Sequence, residues 1–270
     1  MPSPADPQPD GADAPPTWPR ARLVVCMVGP HEPRAGGVTT QVETLSRCLR
    51  NDGVQVRSVD TNVQVLRRLG AVGHWLLPLG QLVLVPWRLW RASRGADLIH
   101  VHLASFWGFY LPMLAIALVR RLRHLPVVAS YHGGMAEQFV AAQRGRVLTL
   151  LHPIDMLVTS AQAVGQVFAA LGLAPVIMPN VVDLAAFPAR PASPTMLADR
   201  PAPLLLWVKR FDRVSNPALM VRAYAQVRAQ VADARLTMIG DGQRLAEIHA
   251  LAAELGAPVT FAGRVSPEAL

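Results

Sequence analysis

From residue 21 onward, short apolar runs alternate with longer stretches of helical period. The runs at 22–28 (Arg-Leu-Val-Val-Cys-Met-Val), 54–59, 97–102 (Asp-Leu-Ile-His-Val-His), 126–131 (Pro-Val-Val-Ala-Ser-Tyr), 155–160 and 175–179 predict strands. Between them, 37–52, 64–93, 107–124, 134–150 and 161–172 predict helices. The strands are continuously apolar, which suits a parallel sheet covered on both faces. Strand and helix in steady alternation is the pattern of a doubly wound α/β domain.

The pattern breaks at Phe187. From there to Pro203 come five prolines and little periodicity, as in a domain linker. It restarts with a strand at 204–209 (Leu-Leu-Leu-Trp-Val-Lys), a helix at 216–230, a strand at 234–239, a helix at 243–255 and a strand at 258–262. Pro217 falls in the first turn of its helix, where a missing N–H costs nothing. The expected organisation is a tail over 1–20, a Rossmann-like domain over 21–187, a linker over 188–203 and an incomplete Rossmann-like domain over 204–270. Three strands and two helices make half of a doubly wound domain. A partner covers the remaining edge and face, or the chain is a fragment.

Composition removes several classes. The chain is 51% hydrophobic and 16% charged over 270 residues, which excludes a disordered or fibrous protein. Cys26 and Cys48 are the two cysteines, too few for a disulfide framework or a cysteine zinc knuckle, and read as free thiols in a reducing compartment. The single lysine, Lys209, is followed by Arg210, so the Walker phosphate loop is excluded. No Gly-x-Ser-x-Gly elbow and no His-Glu-x-x-His occurs, which leaves hydrolase and zinc-protease readings unsupported.

Compartment follows from the termini and the apolar runs. The first 19 residues hold seven prolines, three aspartates and no apolar run. They predict a disordered tail and lack the basic start and hydrophobic stretch of a secretion signal, so a cytoplasmic location is expected. Uncharged runs at 69–87, 98–119 and 156–182 exceed the length that raises a membrane-span alarm. Their prolines, glycines and polar residues break them into strands and helices instead.

Candidate chemistry gathers where predicted strands end. Strand 22–28 runs into Gly29-Pro-His-Glu-Pro-Arg-Ala-Gly36-Gly37 before a helix. A glycine pair there lets backbone approach a ligand, and the helix N-terminus favours an anion. A plain turn is the alternative, and the spacing departs from the dinucleotide fingerprint, as does Gly240-Asp241-Gly242. His100 and His102 point to one strand face. They lack a third zinc ligand, so they read as strand-end histidines with satisfied hydrogen bonds. His132, ahead of Gly133-Gly134, stands where such folds bind ligands and can exchange a proton near neutral pH. It reads equally as a turn histidine bonded to backbone. Arg210 ends the first strand of the second half and could hold a phosphate. With Lys209 and Arg213 beside it, it could also be a solvated strand-end charge.

Charge is concentrated. Residues 64–124 carry eight arginines and one acid, Asp97, and so supply +7 of the net +8. Trp75, Trp87, Trp90 and Trp107 share this region. Arginine with tryptophan and leucine on helices predicts an anionic membrane surface as partner, with peripheral attachment at the inner membrane face. A nucleic-acid partner is not expected, because stacking aromatics would lie on strands or loops. A buried helix with an arginine-rich solvent side is the remaining alternative.

Seven pieces in order resemble the retaining, nucleotide-sugar-dependent GT-B glycosyltransferases of family four, from about residue 21 to 270. They are Leu23-Val-Val-Cys-Met-Val-Gly-Pro with Gly36-Gly37-Val, then Leu45-x-x-x-Leu49-x-x-x-Gly53-x-x-Val56, Ala96-Asp-Leu-Ile-His-Val-His102 and Pro126-Val-Val-x-x-Tyr-His132-Gly133. Pro179-Asn180-Val-Val-Asp183 with Phe187, Asp233-Ala-Arg-Leu-Thr-Met-Ile-Gly240-Asp-Gly and Val259-Thr-Phe-x-Gly263 follow. The resemblance implies two Rossmann-like doubly wound domains, the second incomplete. It implies sugar transfer from a nucleotide-sugar donor to an acceptor hydroxyl on a glycolipid, polysaccharide or small molecule, with retention. His132 would then lie beside acceptor and transferred sugar as the catalytic residue, Gly36 and Gly37 would approach the donor diphosphate, and Arg210 would hold it. No cofactor and no obligatory metal is expected.

Two departures qualify it. Ser215 stands where the family usually has a lysine five residues after the arginine, although Phe211-Asp-Arg-Val-Ser-Asn216-Pro217 resembles a subgroup that also lacks it. The family's glutamate pair, which holds donor sugar and ribose, would fall beyond residue 270. The isolated chain is therefore expected to bind nucleotide sugar weakly and transfer little. A sugar-nucleotide epimerase on the same fold, or a non-catalytic partner of a membrane-associated glycosyltransferase, are the alternatives.

Overall fold

A computed structural model describes residues 23–31, 36–62, 70–184 and 202–266, with side chains of 70–79 left aside. The expected tail over 1–20 and most of the linker over 188–203 lie outside the described residues, as does the start of the 64–93 helix. The chain divides into two compact units, Met1–Phe187 and Pro188–Leu270.

The first unit runs β1 (Val24–Gly29), α1 (Gly37–Asn51), β2 (Gln55–Asp60), α2 (Gly70–Ala92), β3 (Leu98–Leu103), α3 (Trp107–Arg123), β4 (Val127–Tyr131), α4 (Ala136–Leu151), β5 (Met156–Thr159), α5 (Gln162–Ala169) and β6 (Val176–Ile177). Its six strands are parallel in the order β2-β1-β3-β4-β5-β6. Strand order reverses between β1 and β3, which opens a crevice at their carboxyl ends. Both faces of the sheet are covered, so the period-2 alternation of β1 splits between two cores. Cys26 and Val28 join Leu89, Phe109, Ile116 and Phe139 on one face. Val25 and Met27 meet Val42, Leu45 and Leu49 of α1 on the other. Both cysteines are free thiols, and burial pushes Cys26 up to about 12, leaving it unreactive.

The second unit is β7 (Leu204–Val208), α6 (Pro217–Gln230), β8 (Arg235–Ile239), α7 (Leu245–Glu254) and β9 (Val259–Gly263), with a parallel sheet in that strand order. Phe211, Val221, Tyr224, Met238 and Ile248 form its core. The Tyr224 hydroxyl lies 2.9 Å from the carbonyl of Ala234 and 3.1 Å from that of Pro258, tying α6 to the chain before β8 and β9. Leu204, Leu206 and Val208, on the other face of β7, are exposed.

These are two Rossmann-like α/β units. Boundaries shift at the edges. The strand expected at 175–179 is shorter: Val176 and Ile177 pair with β5, and Met178 N–H donates to the Thr159 carbonyl at 2.9 Å. No helix among the described residues is long and apolar enough to cross a membrane.

Candidate active site

The register of β3 on β4 sets His102 beside Ser130, and His132 extends that ladder by donating its backbone N–H to the Leu103 carbonyl at 2.8 Å. His100, His102 and His132 thus line up on the face that α1 covers. The rings of His100 and His102 stack with centroids 4.7 Å apart, and those of His102 and His132 are parallel to within 2° at 5.1 Å. His100 Nε2 bonds Ser130 Oγ at 2.8 Å. His102 Nδ1 lies 2.9 Å from His132 Nε2, and His102 Nε2 lies 3.2 Å from Met27 Sδ.

These contacts assign the protons. Met27 sulfur can only accept, so His102 Nε2 carries a hydrogen and its Nδ1 is bare. His132 Nε2–H must then be the donor to His102 Nδ1. His132 Nδ1 is then left as the lone-pair acceptor, and the Asn180 side chain is its hydrogen-bond partner. Burial keeps the set uncharged. It lowers His100 to about 4, with the His132 charge adding to it. His102 is held well below the ordinary histidine value by burial first, then by His100, His132 and His31. Burial also lowers His132, against the upward pull of a hydrogen bond with Asn180.

His132 opens onto a small cleft, lined also by Gln41, Leu45, Ser160, Asn180 and Val181. Gly37, Gln41 and Leu45 recur every four residues, so they share one face of α1 and Gly37 stands at its N-terminal end. The α1 N-terminus has no side-chain cap and no acid in its first turn. Its first N–H groups and positive dipole end are therefore unopposed by its own side chains. Among the described residues, a Cβ at Gly36 or Gly37 would meet nothing within 4 Å. Gly29 is different: a Cβ there would stand 2.7 Å from Val42 and 3.4 Å from His102 Cβ. Its bareness lets α1 seat against the end of β1 beside the histidines.

In the second unit, Arg210 stands two residues beyond β7, its side chain 74% exposed and 3.9 Å from Asp212. Its backbone is clamped. Lys209 N–H donates to Ile239, Phe211 N–H to Asp241 and Arg244 N–H to Phe211. Gly240, at φ +136°, would drive a Cβ to 2.0 Å from the Lys209 carbonyl oxygen, so the Gly240–Gly242 turn is shaped by this backbone-on-backbone contact. Lys209, Arg213 and Arg264 are exposed on the same carboxyl rim. Ser215 donates both its N–H and its hydroxyl to Asp212, holding that carboxyl below the usual range. In place of a second cation, that position carries a turn-fixing contact.

The structure thus brings His132 into the cleft with Gly37 at the end of the helix that lines it, and puts Arg210 on the rim of the second unit. His102, Asn180 and Gly29 were not singled out as site residues by sequence reasoning. The two-residue spacing of His100 and His102 pointed to the right face but not to His132 as partner. Among the described residues no group of three or more His, Cys, Asp or Glu could hold a metal ion.

Known proteins give the following likenesses. The family profile Glycosyltransferase Family 4 matches residues 35–186, and the profile Glycosyl transferases group 1 matches 195–270. No curated protein matches the chain in sequence. Among solved structures, HepE from Anabaena, in complex with UDP and glucose, is similar at TM-score 0.62 and 14% identity, over 90% of this chain and 70% of that one. The lipopolysaccharide outer core galactosyltransferase WaaB is similar at 0.55 and 13%, over 90% and 69%. A Listeria monocytogenes protein assigned as a UDP-N-acetylglucosamine 2-epimerase is similar at 0.52 and 12%, over 91% and 70%. At such identities the likeness is one of fold, which different activities share.

Proposed function

The chain belongs to Glycosyltransferase Family 4, and on that premise we propose that it moves a sugar from a nucleotide-sugar donor to an acceptor hydroxyl, with retention at the anomeric carbon. The observation that carries this reading is the cleft at the carboxyl ends of the first sheet, where an uncharged His132 faces the helix that begins at Gly37.

In the reaction, the bond from the anomeric carbon to the diphosphate oxygen breaks and its electron pair leaves with the phosphate. The acceptor oxygen bonds to the same face of the sugar, and its proton passes to the departing phosphate oxygen. His132 Nδ1 exchanges Asn180 for a hydroxyl of the sugar or acceptor, accepts its hydrogen bond and so orients it. Its uncharged state matters, because an imidazolium would donate at that atom instead. The N–H groups at Gly36–Gly37 suit the negative charge growing on the diphosphate, without an obligatory metal. In the second unit, Arg210 is the cation suited to a diphosphate.

The test is release of nucleoside diphosphate from a panel of UDP- and GDP-hexoses, with and without hydroxyl acceptors, beside direct titration of the same nucleotides. Release that requires an acceptor supports transfer. A changed sugar without acceptor assigns the chain to epimerisation, and failure of every nucleotide to bind removes the donor. Arg210→Gln is expected to weaken nucleotide binding roughly tenfold to a hundredfold, the loss typical of a charged hydrogen bond. Its melting should stay unchanged, since the side chain is exposed.

A further inference from the structure

Helix α3 buries Phe109, Met113, Ile116 and Val119 against the sheet. The opposite side of such a helix is ordinarily polar. Here Trp107 (73% exposed), Leu114, Leu118 and Leu122 (64%) form the outer stripe instead. Their spacing of seven, four and four residues puts them on one face. Helix α2 packs alongside and exposes Leu82, Val83 (64%) and Trp87 (51%).

Neither helix contains a carboxylate. Both follow strands of one parallel sheet and run back against them, so their C-terminal ends share the amino edge of the sheet. That end carries the arginines. Two of them are occupied: Arg120 pairs with Asp155, and Arg88 donates to the Asp60 carbonyl. Arg91, Arg94 and Arg121 are exposed. The guanidinium of Arg91 lies 5.1 Å from the centroid of Trp87 and that of Arg94 4.5 Å from that of Trp90, holding the charges against the apolar surface.

We propose that this α2–α3 face seats the protein on an anionic lipid bilayer. Trp107, Leu114, Leu118, Leu122, Val83 and Trp87 would enter the headgroup boundary, with Arg91, Arg94 and Arg121 against lipid phosphates. Exposed apolar side chains gathered on two adjacent helices are costly in water, and exposed arginines on helices without carboxylates match an anionic layer. Only part of the arginine cluster seen in the sequence serves, because Arg88 and Arg120 have structural partners. The inference is independent of the sugar-transfer reading.

The experiment is flotation of the full chain with phosphatidylcholine vesicles, alone or mixed with phosphatidylglycerol, at low and high salt. Binding to the mixed vesicles that weakens with salt is expected. The variant R91Q/R94Q/R121Q should lose roughly tenfold or more of that binding. L114S/L118S/L122S should lose it on a similar scale while keeping its circular dichroism and melting, because those side chains face outward. Equal recovery with neutral and anionic vesicles, or recovery with neither, overturns the proposal. A concentration-dependent dimer that the leucine variant converts to monomer, with nothing floated, assigns the face to a second copy of this chain and also overturns it.

Discussion

The carboxyl edges of the two sheets have the same topology and opposite chemistry. The first collects the buried His100 and His102 and the half-buried His132, held uncharged by burial. The second collects Lys209, Arg210, Arg213 and Arg264, all exposed. The cause is how well each sheet is covered. Helices pack on both faces of β1, so groups at its end and at the ends of its neighbours sit in a dry place, where a charge without a partner would be costly. In the three-stranded sheet the outer face of β7 is open, and cations there keep their water. A buried neutral row and an exposed charged rim are thus two outcomes at one kind of edge, set by depth.

The largest effect expected from breaking that difference is in the second unit. Gly240→Ala would force a Cβ into the Lys209 carbonyl at a positive φ, and should cost about 3 kcal/mol or more. Denaturant unfolding followed by two probes, one for each unit, checks this. The transition of the second unit should move to lower denaturant while that of the first stays. Movement of both by the same amount would show that the two edges are not independently built.

Acid should act on the first unit. His100 titrates at about 4 when folded, against an ordinary 6.5. Above pH 6.5 both folded and unfolded forms are neutral there, so the histidine leaves stability unchanged. As pH falls below 6.5 the unfolded chain takes the proton first, and stability drops until about pH 4. For His100 alone the loss by pH 5.5 is about 1.5 kcal/mol. Among the described residues, the charges acting on His100 and His102 are those of His31, His132 and each other, all of which oppose protonation. Melting of His100→Gln should be flatter between pH 7.5 and 5.5 than that of the parent. Equal slopes would remove His100 from the row of shifted histidines.

Most of the fold was legible because it rests on local pattern. Continuous apolar strands between amphipathic stretches gave the order of elements in both units, and the proline-rich break marked where one stops. The site was legible only where it depends on chain position. His132 and Arg210 could be placed at strand ends because a strand end is a local property. The bond from His102 to His132 crosses 30 residues, and that to Met27 crosses 75. It depends on the register of three strands, which no run of residues contains. The arginines of 64–124 show the same limit: their number was legible, but Asp155 and the Asp60 carbonyl, which occupy Arg120 and Arg88, lie outside that segment.

The smallest expected effect tests the proton arrangement itself. In His102→Asn the amide oxygen can stand where Nδ1 stood and still accept from His132 Nε2–H, whereas His102→Leu leaves that N–H without an acceptor. The asparagine variant should therefore lose less stability than the leucine variant, by about 1 kcal/mol, the cost of an unsatisfied buried donor. Long-range proton–nitrogen spectra of the imidazoles read the same point directly. The parent and His102→Asn should both show His132 protonated at Nε2 and bare at Nδ1, and His102→Leu should show a mixture. A parent spectrum with the proton on Nδ1 would reverse the assignment, because the atom facing the cleft would then be a donor. The contrast between the two edges would survive, since it rests on charge, but His132 would have to bind a hydroxyl through that oxygen's lone pair.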